Sequence, residues 1–149
     1  IVDLPGQLNV AKQEVAANGL EAQVSFMAAD LLKDAVEFPK GFDAIWMSQF
    51  LDCFSEDQIV SILKKCYGAL DDNGFIFILE PFWDKQKLEI AAFCLQQTSL
   101  YFTAVANGNS QMYSAAVFFK CIEKAGFEIV EETNNIGLSQ SLLKCKKLK

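Results

Sequence analysis

Four carboxylates stand where apolar runs of the chain break off. Asp3 follows "IV" and precedes Pro5 and Gly6, Asp30 ends "AQVSFMAAD", Glu80 ends "FIFILE", and Asp52 comes a few residues after "FDAIWMS". A parallel sheet presents bound molecules to the carboxyl ends of its strands, so acids there can meet a ligand. An acid after the second strand of a nucleotide-binding sheet can accept both ribose hydroxyls. Asp3 is a candidate for that role, although a lone aspartate before Pro5 is more often a turn or helix-cap residue. Asp52 could serve as a base, as a hydrogen-bond partner of a substrate, or as a helix-start charge. Glu80 could orient a substrate or simply end its strand.

Other chemistries are closed off by composition. The chain has no His and no Arg, which excludes histidine catalysis, histidine metal sites and bidentate Arg clamps. Cys53, Cys66, Cys94, Cys121 and Cys145 are scattered with no CxxC pair, so no metal site is expected. Their odd number and apolar neighbours point to reduced, buried thiols in a cytoplasmic protein. A net charge of −6 disfavours nucleic acid and anionic lipid as partners, and "KCKKLK" reads as a solvated strand end. No apolar run reaches the roughly 18 residues of a membrane span.

The elements that would position the acids alternate. "IVD" is a strand end, and Pro5 opens a helix carrying Leu8, Ala11 and Val15, which Asn18 and Gly19 close. "AQVSFMAAD" alternates as a strand. "FDAIWMS" and "FIFILE" are continuous apolar runs, the pattern of strands buried on both faces. Between them, Ser55 and Gln58 form a capping box ahead of the stripe Ile59, Ile62, Leu63, Cys66, Ala69 and Leu70, and "DDNG" makes a turn. A long aromatic-rich helical stretch follows from about Lys85 to Val105, then the loop "ANGNS". Ser114 caps a helix carrying Val117, Phe118, Cys121, Ile122 and Ala125, ended by Gly126. "FEIVEET" and "LSQSLLKCKK", joined through "NNIG", form an antiparallel hairpin. The 149 residues are enough for one core, and no internal boundary or repeat is visible.

The blocks "VDLPGQLNVAKQEVAANGL", "VSFMAADLL", "FDAIWMSQFLDCFSEDQIVSILKKCYGALDDNGFIFILE" and "CIEKAGFEIVE" resemble, in order and spacing, class I S-adenosylmethionine-dependent O-methyltransferases of the caffeate and hydroxyindole type, including the bacterial small-molecule branch. The resemblance implies a Rossmann-like α/β fold with a mostly parallel sheet and a C-terminal antiparallel hairpin. It implies that residues 1–149 are a partial catalytic domain lacking the first strand and its Gly-rich loop. It further implies S-adenosyl-L-methionine as cofactor, a small aromatic hydroxyl compound as substrate, and a homodimeric parent joined through a helical domain ahead of Ile1.

By the same resemblance Asp3, with Leu4 beside it, matches the ribose-binding acid. Asp30 and Leu31 match the residues that face the adenine amine and pack on the ring. Ser48 falls where plant members often have a Lys near the cofactor, and Phe54 takes the usual Trp position. Glu80 matches a Glu flanking the catalytic base. That base is a His in the family, and here the position is Asp52; a second flanking Glu becomes Met112. Phe82, Trp83, Phe93, Tyr101 and Phe102 could line a substrate pocket or belong to core and dimer contacts. The altered catalytic half keeps a non-catalytic nucleoside-binding descendant open. A nicotinamide-dependent oxidoreductase is the other alternative, against which the closing hairpin argues.

Overall fold

The structure is a computed structural model that describes residues 1–106 and 108–148. Asn107 of the expected "ANGNS" loop and Lys149 of the basic ending lie outside them. The chain divides into a first unit, Ile1–Glu37, and a second that begins at Phe38.

In the first unit β1 (Val2–Asp3) pairs in parallel with β2 (Met27–Ala28), Asp3 opposite Ala28. Between them runs α1 (Pro5–Ala17), with Pro5 at its first position, where a missing N–H costs nothing. Leu8 and Val15 form its buried stripe, and Gly19, at φ 67°, takes the left-handed conformation that ends it. The strand expected over "AQVSFMAAD" is confined to two of its residues, Met27–Ala28.

The second unit holds a mixed sheet in the order β3-β4-β6-β5, built from β3 (Phe42–Ser48), β4 (Leu70–Pro81), β5 (Phe127–Ile136) and β6 (Gln140–Lys147). β3 and β4 are parallel, while β6 runs antiparallel to both β4 and β5. The hairpin expected at the end is therefore present, and its second strand lies between β4 and β5.

The double-faced burial expected of "FDAIWMS" and "FIFILE" is corrected. β4 alternates: Ile76, Ile78 and Glu80 are buried, as are Cys145, Leu143 and Ser141 opposite them on β6. The other face carries Phe75, Phe77 and Trp46, which is 59% exposed. A sheet with one packed face needs apolar side chains on that face only, so aromatics on the second face make the sequence look doubly buried. The basic ending is also more than a solvated tail. Lys144 Nζ lies 4.2 Å from the Phe75 ring centre and Lys147 Nζ 4.9 Å from that of Tyr67, so their stems cover aromatic surface.

The helices follow their patterns. In α2 (Glu56–Ala69) the stripe from Ile59 to Ala69 is buried, and the Ser55 amide donates to Gln58 Oε1 at 3.0 Å. α3 (Glu89–Tyr101) continues into a π turn over Phe102–Ala106. In α4 (Ala115–Lys124) the Val117 amide donates to the Ser114 hydroxyl, and the Ala115 amide to Asp84 Oδ1 at 2.8 Å. Three of the five thiols are buried, but Cys53 and Cys94 are exposed, which corrects the expectation of buried cysteines throughout.

"DDNG" lies within the span of β4, as an irregularity where the partner of Phe42 is Leu70 and that of Ala44 is already Phe75. Gly74 is required there by space: a Cβ would stand 2.8 Å from the Leu70 side chain and 2.9 Å from the Asp43 carbonyl oxygen. Gly74→Ala is therefore expected to destabilise the protein by about 1–3 kcal/mol. Urea midpoints read this directly, and an unchanged midpoint would show that the strand can move aside.

Candidate functional site

β3 and β4 bring their carboxyl ends side by side, Ser48 opposite Leu79. Ser48 is exposed there. The chain then leaves β3 through Gln49, whose φ of 46° is in the left-handed region and whose amide donates to Leu79 O at 2.8 Å. That reversal turns the next amides back toward β4. Phe50 N and Leu51 N donate to Glu80 Oε1 at 2.9 and 2.8 Å. Glu80 is 1% exposed, and its second oxygen, Oε2, is buried with no partner among the described residues.

Asp52 sits half-buried in the short 3-10 turn Leu51–Cys53 that these amides begin. Burial raises Glu80 to about 8, the Asp52 charge adds to the rise, and the amides of the turn oppose it. Asp52 is also raised, chiefly by burial, while the Cys53 thiol at 3.5 Å and nearby amides pull it back. Two close carboxylates resist joint ionisation. Glu80 is the deeper of the two and holds the proton at neutral pH, so Asp52 carries the charge. Cys53 is pushed to about 11 by burial and then by Asp52, so its thiol is not a nucleophile at neutral pH.

A segment from the far side of the chain closes over this turn. Gln111 N donates to Asp52 O at 2.9 Å, Ser110 Oγ to Cys53 O at 3.4 Å, and the Tyr113 hydroxyl to Phe54 O at 2.6 Å. Met112 N donates to Ser99 Oγ at 2.6 Å, which fastens the segment to α3. Beside the turn, Ser55, Glu56, Asp57, Thr103, Asn109 and Gln111 line an open cavity of about 450 Å³. The loop ending at Ser110 and the resemblance at Met112 point to part of this segment, but neither its crossing over the Asp52 turn nor the Gln49 reversal has a local sequence signal; a positive φ ordinarily announces itself as Gly or Asn.

The aromatic residues separate by role. Phe82 is fully buried, its ring 5.1 Å from that of Phe118 and 5.9 Å from that of Phe119, so it is core and not pocket wall. Phe93 and Tyr101 are exposed, and Trp83 and Phe102 are half-buried. Phe54 packs edge-on against Phe50 at 5.1 Å.

In the first unit Asp3 and Asp30 share the carboxyl end of the β1–β2 pair. Asp3 Oδ1 accepts from Leu4 N at 2.7 Å, which occupies one oxygen and leaves the other. Asp30, two residues past β2, accepts from Leu32 N at 3.1 Å, with Lys33 Nζ 3.9 Å from its second oxygen. Leu4 is exposed at the start of α1 and Leu31 is half-buried. The acids thus form two pairs, Asp3 with Asp30 and Asp52 with Glu80, one in each unit.

A family model for an O-methyltransferase domain matches residues 1–128. An L-tyrosine C(3)-methyltransferase of Streptomyces lavendulae is 25% identical over 127 residues, covering 85% of this chain and 34% of that protein. A 3-hydroxy-5-methyl-1-naphthoate 3-O-methyltransferase of Streptomyces sahachiroi is 34% identical over 87 residues, 58% of this chain and 25% of that one. Among solved structures, the apo S-adenosylmethionine-dependent methyltransferase SibL is 26% identical with a TM-score of 0.82, over 100% of this chain and 43% of its own. The chain thus spans about a third or less of the length of these two curated relatives.

Proposed function

The chain belongs to the O-methyltransferase domain family, and from that premise we propose that it is part of a catalytic domain that transfers a methyl group from S-adenosyl-L-methionine to a hydroxyl of a small aromatic molecule. The observation that carries this reading is the placing of both acid pairs at the carboxyl ends of parallel strands, where such sheets take their ligands. The insertion of antiparallel β6 beside β4 supports a methyltransferase over a nicotinamide-dependent oxidoreductase, whose sheet stays essentially parallel.

The residues present fit the cofactor's chemistry. In the first unit Asp3 offers a carboxylate oxygen to ribose hydroxyls, Asp30 an acceptor for the adenine amine, and Leu31 an apolar surface for the ring, with Leu4 next to Asp3; in the second, Ser48 offers a hydroxyl at the end of β3. An acidic chain also suits a cationic sulfonium. S-adenosyl-L-methionine supplies, when bound, a methyl group already activated by that charge. The protein's part is approach, alignment and exclusion of water. Asp52, ionised, faces the acceptor as its hydrogen-bond or ion-pair partner. Glu80 fixes the turn that carries Asp52 and, by keeping its own proton while the site is empty, keeps Asp52 charged.

The open face of β3, with Trp46 on it, supports the reading that further residues of a catalytic domain cover this sheet. A cytoplasmic, homodimeric parent acting on small molecules fits the family resemblance. No helix among the described residues is long and apolar enough to cross a membrane.

The test is transfer of label from methyl-labelled cofactor to a phenolic acceptor by the intact protein, together with Asp3→Ala. Losing hydrogen bonds to a charged acceptor is expected to weaken cofactor binding by about 1.5–3 kcal/mol, with kcat at saturating cofactor little changed. Absence of label in any ether product would overturn the activity. An unchanged cofactor dissociation constant would leave Asp3 as a turn residue alone.

A further inference from the structure

Glu80 Oε2 is a buried carboxyl oxygen with no hydrogen-bond partner among the described residues. Such atoms are rare in native proteins and each asks for a partner. The groups that bear on it are acidic or neutral. They are Asp52 and Cys53 from the turn, and Ser141 opposite it on β6. From the crossing segment, Ser110 and Tyr113 hold that turn. No cation is among the groups that lower the proton affinity of Asp52 or Glu80. The adjoining cavity repeats the sign, with Glu56 and Asp57 in its wall. An arrangement of this kind repels an anionic ligand and is completed by a cation that brings N–H donors.

Resting on the methyl-transfer reading, we propose that the acceptor is a cationic phenol, its protonated amine held by Asp52 above the buried Glu80 carboxyl. No covalent bond of the ligand changes on binding. The ammonium supplies the counter-charge that the acid pair lacks, so the Glu80 O–H bond breaks and its proton passes to the solvent. Before binding the pair carries one negative charge, and afterwards two, balanced in part by the ligand.

The experiment is calorimetric titration of the intact protein, saturated with S-adenosyl-L-homocysteine, whose sulfur is uncharged and so cannot act as the cation. The probes are tyramine, para-ethylphenol and para-hydroxyphenylacetate, near neutral pH and in two buffers of different ionisation enthalpy. Tyramine is expected to bind about tenfold tighter than the neutral phenol, and the carboxylate more weakly than either. Tyramine alone is expected to release close to one proton. Glu80→Gln should abolish that release and keep the preference for the amine, whereas Asp52→Asn should remove the preference. Equal or tighter binding of the carboxylate, no measurable binding of tyramine, or proton release that survives Glu80→Gln would each overturn the proposal. Methyl transfer to all three phenols without preference would refute it and leave the methyl-transfer reading standing. Amine-selective binding without transfer would do the reverse.

Discussion

Replacing Glu80 by glutamine will make the protein more stable at about pH 9 and leave it nearly unchanged at about pH 4. The folded-state value of this carboxyl is raised from 4.5 to about 8, mainly by burial and then by Asp52. Below the lower value both folded and unfolded chains carry the proton. Between the two values the unfolded chain releases it while the folded protein keeps it. Above the higher value the folded protein must hold a buried anion beside Asp52. The stability that Glu80 contributes is therefore fully present below about pH 4.5 and lost as pH rises through about 8. At roughly 1.4 kcal/mol per pH unit the loss is on the order of 3–5 kcal/mol.

Glutamine keeps a carbonyl oxygen for the Phe50 and Leu51 amides and can turn its NH2 toward Asp52, but it never ionises. Urea unfolding of both proteins from about pH 4 to 9 measures the difference, in which groups common to both cancel. Parallel stability curves would show that water reaches Glu80.

Phe118→Ala is the second large effect. The ring is 1% exposed and packs against Phe82 at 5.1 Å and Tyr113 at 5.9 Å. Removing a buried phenyl leaves a cavity and is expected to destabilise by about 3–5 kcal/mol. The consequence reaches the site, because Phe82 follows Glu80 and Pro81 at the end of β4, and Tyr113 belongs to the segment that crosses the Asp52 turn. Loss of the ring should therefore lower acceptor binding at temperatures where the variant remains folded. Phe119→Ala, half-buried on the neighbouring helix face, is the control with the smaller expected loss. Equal urea midpoints for the two variants would show that Phe118 is not the anchor.

Much of this was legible in the residues. α2 and α4 carry clean stripes behind N-terminal caps, and Gly126 ends α4, so their starts and buried faces follow from pattern and capping chemistry, while α2 passes directly into β4 at Leu70. The hairpin was equally plain, but its turn falls at Gly137–Ser139, past most of the expected "NNIG", because β5 runs on to Ile136. The strands were less so. Trp46, Phe75 and Phe77 put apolar side chains on a face that the second unit leaves half-open, and period alone cannot separate that from burial on both sides. The adjacency of Asp52 and Glu80 could be anticipated from strand order. Their chemistry could not, because it depends on backbone amides that Gln49 redirects and on Ser110–Tyr113, whose place is set by tertiary contacts.

The position of β6 also constrains how the sheet can be assembled. It follows every other strand in sequence yet lies between β4 and β5. Its partners on β4 are roughly sixty to seventy residues away, a non-local pairing whose loop-closure entropy is met before its contacts form. Local order favours α2 and the β5–β6 hairpin as early structures, with the hairpin then docking onto β4. During synthesis β4 emerges well before β6, and until the hairpin arrives its antiparallel edge is a bare row of amides and carbonyls flanked by Phe75, Phe77 and Ile78. That interval, more than the finished fold, is where the nascent polypeptide depends on chaperones or on its own speed to avoid pairing with another chain.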